Sequence, residues 1–377
     1  MRATWIVLGL VVAVGTVAYW KLRAEAEGAD ATALLQKTVG EAPGQDGDPA
    51  ADPPARAPTE DPAAARLEAR AREILAEVGA ASRAKDRSRY DAAVARLRKE
   101  AWNAPSARAF AVKLGLGLYA DASSRSGLDR IRRLDAARRT LSRGIWNDDL
   151  FDAKGRPTKA RTSLLQAIQE ANRQVMTFAR REGGGLAGVT RPFRVPAGWA
   201  PIVIVSRKKL PYGPNALLYW NKSNLDPRRI QAGEILLLPV EALSIEIDRR
   251  RHRLALFLGD WFVKEFEVGV GLPEKPTPAG VFTLGKKRQE NPPWWSPQGK
   301  IPFGDPRNEL GAAWIGIRSE SVPESAGYGL HGTNKPETVG TDCSQGCVRL
   351  HNSDVTELYR WMRSDSAGGA ATVIRIF

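Results

Sequence analysis

Apolar residues recur at helical spacing through the region between residues 65 and 185. One run falls three or four positions apart, as along one face of a helix: Leu128, Ile131, Leu134, Ala137 and Leu141. A second run has the same spacing: Leu164, Leu165, Ile168, Ala171, Val175 and Phe178. Breaks at "NAPS" (103–106) and "DAKGRP" (152–157) separate the runs. The pattern predicts an all-α region of about five helices, packed as antiparallel neighbours.

After residue 240 the pattern changes to short apolar runs typical of β-strands. Strands are predicted over Leu243–Asp248 and on both sides of a Gly259-Asp260 turn within residues 252–271. A Pro-, Trp- and Gly-rich loop is predicted from Gln289 to Leu310, and loops of this length in a compact domain are usually functional. Its aromatic and proline residues favour an ordered wall or lid over a groove. Residues 241–377 are therefore predicted to form a mostly-β domain, which makes the chain a multidomain α+β protein.

The N-terminal residues indicate export. Ala3 to Trp20 is a run of eighteen residues without a charge, near the short limit for crossing a hydrocarbon core of about 30 Å. A cleaved signal peptide ending at "AEA" (24–26) and an uncleaved signal anchor both remain open. The length of the run and the basic residues after it favour an anchor over residues 1–24. Either interpretation places the rest of the chain in the bacterial cell envelope, outside the cytoplasm.

The Pro- and Ala-rich segment that follows, residues 25–64, is predicted to be a disordered linker because it has almost nothing to bury. The chain has 377 residues and a formal net charge of +14. The length suits two or three folded units. The charge favours an anionic partner, such as phospholipid headgroups, cell-wall polymers or nucleic acid. An export signal argues against nucleic acid, so a membrane and the cell wall are the expected partners.

A short segment between the helical region and the β-domain has the pattern strand, helix, helix, strand. Its second helix ends at Asn221, and its last strand lies in "IQAGEILLLP" (230–239). This plan resembles a LysM domain over residues 192–240. One departure is "GWAP" (198–201), where LysM domains usually have Gly-Asp-Thr-Leu at the start of the first helix. The resemblance implies binding to glycans that contain N-acetylglucosamine, and a packing module beside an enzyme is the alternative.

Candidate chemistry is concentrated near the C-terminus. The stretch "TDCSQGCVRLHN" (341–352) holds both cysteines of the chain, Cys343 and Cys347, and His331 precedes Cys347 by sixteen positions. A thiol attacks as a thiolate, and an imidazole can take its proton. Gly346 lets the backbone approach a substrate closely. The order and spacing of these residues match no common zinc pattern, so no metal is predicted. A disulfide between the two cysteines remains an alternative.

Three motifs together resemble an L,D-transpeptidase catalytic domain of the YkuD type: "TPAGVF" at Thr277, "HGT" at His331 and "SQGCVRLHNSD" at Ser344. The resemblance covers about Leu243 to Phe377. Many members of the family have His where this chain has Gln345, which leaves His331 as the sole expected base.

The resemblance implies that Cys347 is the nucleophile and that His331 is the proton donor and acceptor. It implies an oxyanion hole formed by the amides of Gly346 and Cys347. Further expected support comes from Ser344, Gln345, Thr333 and Gly332. The expected substrate-binding residues are Arg349, Tyr328 and Asn352, and Arg349 has bracing of the loop as an equal alternative.

The implied reaction needs no cofactor. Cys347 attacks the third residue of a peptidoglycan stem peptide, releases the terminal D-alanine and forms a thioester. An amine of a second stem then resolves the thioester and gives a 3→3 crosslink. If water were the acceptor, the enzyme would be an L,D-carboxypeptidase. A protein amine as acceptor would make it a tethering enzyme. Outside enzymes, a peptidoglycan-binding scaffold with an inactive catalytic domain is the alternative.

Overall fold

A computed structural model describes residues 62–181, 186, 188–221, 228, 230–296, 299–362 and 372–377. Within these, the chain divides into two compact units. One contains residues 62–151 with 158–165, and the other contains residues 152–157 with the chain from 166 to the C-terminus. The division falls inside a helix, upstream of the boundary expected near residue 185. Helical periodicity defines an apolar face but does not identify what packs against it.

The first unit is helical. Its elements are α1 Pro62–Arg83, α2 Arg87–Glu100, α3 Pro105–Ala122, α4 Gly127–Arg143 and the start of α5 Lys159–Arg181. Asp86 caps α2 by accepting a hydrogen bond from the N–H of Arg89 at 3.0 Å. Pro105 begins α3, where its missing N–H leaves no intrahelical bond unmade. The helical region predicted from the spacing is confirmed in the described part of the chain.

The N-terminal predictions fall largely outside the structure. The anchor expected over residues 1–24 lies outside the described residues, as does the expected linker up to residue 61. Helix α1 begins at Pro62, so the last residues assigned to the linker are helical. Among the residues that are described, no helix is both long enough and apolar enough to cross a membrane.

The second unit contains residues 152–157, the rest of α5 and then a small βααβ module, which we define as residues 190–239. Its elements are β1 Thr190–Arg194, α6 Pro201–Arg207, α7 Pro214–Asn221 and β2 Ile235–Pro239. The two strands pair antiparallel. The buried amide of Asn221 accepts from the N–H of Leu237 at 2.7 Å and donates to its carbonyl at 2.8 Å. This side chain ties the end of α7 to β2, in the element order expected for the segment.

The remaining residues build a mixed eight-stranded sheet in the order β13-β11-β10-β7-β14-β3-β4-β5. Its strands are β3 Leu243–Asp248, β4 Arg253–Leu258, β5 Trp261–Glu267, β7 Gly280–Glu290, β10 Ala313–Arg318, β11 Gly329–His331, β13 Val348–Arg349 and β14 Val373–Ile376. Two short strands, β6 Val270–Gly271 and β12 Asp342–Ser344, pair outside it. Apolar residues of β3, β4 and β14 are almost fully buried and form the core.

The segment predicted as one long loop, Gln289–Leu310, is partly sheet. Strand β7 continues to Glu290, and β8 Trp294–Ser296 pairs antiparallel with β9 Gly299–Ile301. The buried amide of Asn308 donates to the carbonyl of Pro292 at 2.9 Å and closes the base of this segment. The prediction of a continuous loop was wrong because tryptophan favours β-strands, and Trp294 and Trp295 pair with residues of β9.

Helix α8, Asn352–Trp361, lies between the sheet and the βααβ module. The N–H of Gly213 donates to the carbonyl of Trp361 at 2.5 Å. A Cβ at position 213 would lie 2.4 Å from the carbonyl oxygens of Arg360 and Met362, so only glycine allows this approach. The ring of Tyr219 packs 5.2 Å from that of Trp361. The module therefore holds the C-terminal end of a helix whose first residue reaches the site described next.

Candidate active site

Strand pairing brings the segments around His331 and Cys347 together. Strand β11 pairs in parallel with β13, and His331 lies opposite Arg349. The N–H of Leu350 donates to the carbonyl of His331 at 2.8 Å. Cys347 directly precedes β13, so this ladder sets its backbone beside the strand that carries the histidine. The fifteen residues between His331 and Cys347 form a connection that includes β12.

The imidazole of His331 is held by its own backbone. Its ring is buried, with 4% of the residue exposed, and Nδ1 lies 2.6 Å from the carbonyl oxygen of Gly332. A carbonyl only accepts hydrogen bonds, so Nδ1 carries the proton in the neutral ring. Nε2 is then left with a lone pair. This is the tautomer that a general base requires.

An aromatic side chain covers one face of this ring. Trp314 lies opposite His331 in the antiparallel pair of β10 and β11. The two ring centroids are 5.7 Å apart, and the rings are tilted by 26°. The indole excludes water from the imidazole and limits its rotation. Sequence reasoning missed Trp314, because only the strand register places it next to His331.

The electrostatics favour an uncharged pair at rest. Burial is the largest cause that lowers the pKa of His331 to about 4, and the Arg349 charge adds to it, while hydrogen bonds with the backbone of Gly332 and Glu309 oppose it. Burial also raises the pKa of Cys347, although a hydrogen bond from the backbone of Gly329 and the positive charges of Arg349 and Lys275 act in the opposite direction. Neutral thiol and neutral imidazole are therefore both favoured near neutral pH. The thiol must lose its proton as it attacks.

A tight turn shapes the backbone at Cys347. The buried hydroxyl of Ser344 donates to the carbonyl of Cys347 at 2.6 Å and accepts from the N–H of Gly346 at 3.1 Å. Gly346 has φ +103°, a backbone conformation that residues other than glycine rarely adopt. A Cβ there would also lie 2.6 Å from the ring of Tyr328. Ser344, Gly346 and Tyr328 together fix the path of the chain into Cys347.

The thiol itself is partly exposed. It donates to the carbonyl of Gly327, with Sγ 3.6 Å from that oxygen. The N–H of Gly346, expected in the oxyanion hole, is engaged by Ser344 in this conformation. Within the described chain the N–H of Cys347 has no hydrogen-bond partner, so it is the available donor for a developing oxyanion.

Arg349 lies beside both reacting groups. Its side chain is 11% exposed, and Nη2 lies 3.5 Å from a carboxylate oxygen of Glu309. Its buried Nε has no partner in the structure. A guanidinium that is only partly satisfied can accept a substrate carboxylate, and its contact with Glu309 also braces the loop.

The other predicted site residues are placed differently. Gln345 is exposed on the turn before Cys347. Thr333 is buried, and its hydroxyl accepts from the N–H of Lys335 at 2.9 Å. The side-chain amide of Asn352 forms hydrogen bonds with the backbone of Ala312, just before β10, and of Thr333, in the loop after His331. This arrangement favours a bracing role for Asn352 over contact with substrate.

The two cysteines are both free thiols, so the disulfide alternative is not realised in this structure. The Sγ of Cys343 lies against Gly269, where an added Cβ would approach it to 2.5 Å. Among the described residues, no group of three or more His, Cys, Asp or Glu side chains is placed to hold a metal ion.

Comparisons with known proteins point to one family. The model of the YkuD L,D-transpeptidase catalytic domain matches residues 243–374. The putative L,D-transpeptidase YkuD of Bacillus licheniformis is 32% identical over 149 residues, which are 38% of this chain and 77% of the relative. The putative L,D-transpeptidase YqjB of Bacillus subtilis is 36% identical over 114 residues, which are 30% of this chain and 62% of the relative.

A solved catalytic domain, from an E. faecium L,D-transpeptidase, is 22% identical and covers 36% of this chain and 98% of that chain, with a TM-score of 0.26. The sequence matches carry the family assignment. The family model covers neither the helical region nor the βααβ module.

Proposed function

Because the chain belongs to the L,D-transpeptidase family, we propose that it crosslinks peptidoglycan through an acyl-enzyme on Cys347. The donor is the tetrapeptide stem of one strand. The acceptor is the side-chain amine of a second stem, which gives a 3→3 crosslink. The arrangement around His331 is the observation that carries this proposal: a buried, neutral imidazole with Nδ1 fixed on the Gly332 carbonyl.

In the first half-reaction, Sγ of Cys347 attacks the carbonyl carbon of the third stem residue. Nε2 of His331 takes the thiol proton as the bond forms. The N–H of Cys347 donates to the negative oxygen of the tetrahedral intermediate. Its collapse breaks the peptide bond, the imidazolium returns its proton to the leaving amine, and D-alanine departs. A thioester on Cys347 remains.

In the second half-reaction, the acceptor amine attacks the thioester carbonyl. Neutral His331 takes a proton from the amine, and the thiol of Cys347 leaves and recovers its proton from the imidazolium. Arg349 is placed to hold a carboxylate of either stem beside these groups. Its positive charge also stabilises the thiolate as it departs.

The proposal is tested with purified protein and disaccharide-tetrapeptide as substrate, with products identified by mass spectrometry. We expect dimers that have lost one D-alanine. Cys347→Ala should abolish them, whereas the matched variant Cys343→Ala should retain them. Monomers shortened by one D-alanine would instead identify an L,D-carboxypeptidase. No turnover at all by a folded wild-type protein would favour the scaffold.

We further propose that the βααβ module is a LysM-like domain that binds the glycan of the same substrate. The support is a partly exposed cluster with residues from β1, from the segment before α6 and from the C-terminal end of α6. The rings of Phe193 and Trp199 lie 6.0 Å apart. Arg207 lies 5.0 Å from the ring centroid of Trp199, and Lys208 lies 4.8 Å from that of Phe193. Aromatic rings can stack on sugars, and the two cations suit the carboxylates of stem peptides.

Retention on purified peptidoglycan tests this role in the full chain. Trp199→Ala with Arg207→Ala should reduce retention without changing the thermal midpoint of unfolding. The matched control is Trp295→Ala with Lys300→Ala, which removes an exposed tryptophan–lysine pair on the β8–β9 hairpin. Equal retention of both variants and the wild type would leave the module with a packing role alone.

For localisation we propose the cell envelope, with residues 1–24 as the anchor and the catalytic domain on the exported side. The sequence of residues 3–20 supports this placement. After cell lysis, the full chain should sediment with membranes and resist extraction at high pH. A chain that begins at residue 62 should be soluble. Recovery of the full chain in the soluble fraction would contradict the anchor.

A further inference from the structure

We propose that Asn352 is a positioning residue for the His331 base and that it acts through the peptide bond between Gly332 and Thr333. This inference rests on the proposed function, since it assigns a role to a side chain that touches neither Cys347 nor the imidazole.

The contacts of the Asn352 amide define its orientation. Oδ1 accepts from the N–H of Ala312 at 3.0 Å and from the N–H of Thr333 at 3.1 Å. Nδ2 donates to the carbonyl of Thr333 at 2.9 Å. Two donors on one side and one acceptor on the other fix which amide atom is oxygen. Asn352 therefore joins the end of the segment before β10 to the loop after β11.

One of these contacts leads directly to the base. The N–H of Thr333 and the carbonyl of Gly332 belong to the same peptide unit, which is planar and rigid. The carbonyl accepts from Nδ1 of His331 at 2.6 Å, while the N–H donates to Asn352. The two bonds hold opposite edges of one plane. Rotation of that plane would remove the acceptor that keeps the proton on Nδ1 and the lone pair on Nε2.

The surrounding glycines show that the chain makes room for this amide. A Cβ on Gly311 or on Gly332 would lie 2.1 Å from Oδ1 of Asn352. Gly311 also has φ +61°. Any larger side chain at either position would displace the amide from the peptide it holds. The two glycines therefore leave the space that the side-chain oxygen at position 352 occupies.

The far end of the same helix is also held. Gly213 of the βααβ module contacts the backbone of Trp361, as described above, and Asn215 donates to the carbonyl of Glu357 at 3.4 Å. Helix α8 is thus fixed at both ends, which prevents the amide of Asn352 from moving with the loop that it braces.

The test compares Asn352→Ala with Asn352→Asp and uses Ser353→Ala, one residue further on the exposed side of α8, as the matched control. Aspartate retains an acceptor for both N–H groups, but it loses the donor to Thr333 and places a carboxylate oxygen against the carbonyl of Thr333. The first readout is ¹⁵N NMR of the full chain, which distinguishes histidine tautomers, with the His331 signal identified by its absence in His331→Gln. The second is the rate of Cys347 alkylation by iodoacetamide as a function of pH.

We expect Asn352→Ala to mix the two tautomers of His331 and to slow alkylation near neutral pH by at least about tenfold, a small part of the range of roughly 10² to 10⁴ that general acid–base catalysis supplies. Asn352→Asp should retain more of the wild-type tautomer and of the rate than Asn352→Ala, because it keeps the acceptor for both N–H groups. An unchanged tautomer and rate in folded Asn352→Ala would overturn the proposal.

Neither readout requires peptidoglycan. If wild-type protein fails to turn over tetrapeptide but the tautomer of His331 depends on Asn352 as expected, the proposed function fails and the positioning role stands. If turnover is observed while the tautomer does not depend on Asn352, the positioning role alone fails.

Discussion

The two side chains that we propose to react, His331 and Cys347, are held in different ways. His331 lies at the end of a strand, is buried, and has its ring fixed at Nδ1 by a carbonyl and on one face by Trp314. Cys347 lies outside the strands in a turn, is partly exposed, and owes its backbone path chiefly to one hydroxyl and one glycine. The position of His331, the proposed base, thus depends on many contacts, whereas that of Cys347, the proposed nucleophile, depends on few.

This difference predicts where substitutions act. In the turn, a single change should displace the thiol and lower the rate strongly while the sheet remains folded. Around the base, a single change should leave the imidazole in place but alter its protonation, because burial sets its pKa.

Gly346→Ala should give the largest loss. The new Cβ would overlap the ring of Tyr328. The alanine would also have to adopt φ +103°, a backbone conformation that is strained for any residue with a side chain. We expect crosslinking activity to fall by about a hundredfold or more and the free energy of unfolding to fall by roughly 1–3 kcal/mol. Product formation and urea unfolding measure the two effects.

The matched control is Gly304→Ala, because Gly304 has φ +88° but an added Cβ would meet no atom within 4 Å. It should show a similar loss of stability with activity retained. If both variants lost activity to the same degree, the loss would not come from the turn at Gly346 and its contact with Tyr328.

Ser344→Ala should have a smaller effect. The hydroxyl bridges the carbonyl of Cys347 and the N–H of Gly346, and its removal leaves both groups without this partner. Leaving buried polar groups without a hydrogen-bond partner costs roughly 1–3 kcal/mol of folding free energy. Because the weakened turn carries Cys347, we expect the turnover rate to fall by about tenfold. Ser321→Ala, at an exposed hydroxyl, should be silent in the same assay. Full activity of Ser344→Ala would show that the ladder of β11 and β13 positions Cys347 without the turn.

The proposed site residues that lie close together along the chain could be predicted from local motifs. Cys347, Ser344 and Gly346 fall in one motif, and His331 is recognisable from its own motif and its distance from Cys347. The strands around the Gly259-Asp260 turn were also predictable, since alternating apolar residues and a turn signal are local features.

Other features depend on pairing between distant segments and were not predictable in this way. Trp314 reaches His331 through the register of β10 and β11. The role of Asn352 depends on where the start of α8 meets the loop after β11. Gly311 and Gly332 carried a signal, because a glycine without a turn motif often marks a close approach, but nothing local identified the group that approaches.

The smallest expected effect concerns the face of the base. Trp314→Leu removes the indole that covers the imidazole, and since burial is the main cause of the lowered pKa, we expect the pKa of His331 to rise from about 4 towards its ordinary value of 6.5. The acid limb of the pH profile for Cys347 alkylation should move upward accordingly. At pH 8 both proteins hold a neutral imidazole, so their rates should differ by no more than a few fold.

Stability should follow the same titration. A histidine whose folded pKa is depressed contributes stability that is fully present above its unfolded pKa of 6.5 and is lost as pH falls through the folded value near 4. The wild type should therefore become less stable between pH 6.5 and 4, and Trp314→Leu should lose less over that interval. Urea unfolding at pH 7.5 and 5 measures this, with Trp295→Leu at an exposed tryptophan as the matched control. The alkylation profile provides the contradicting outcome. If its acid limb did not move in Trp314→Leu but vanished in His331→Gln, the backbone around His331 would set the pKa of the imidazole, and the indole would serve only to pack the sheet.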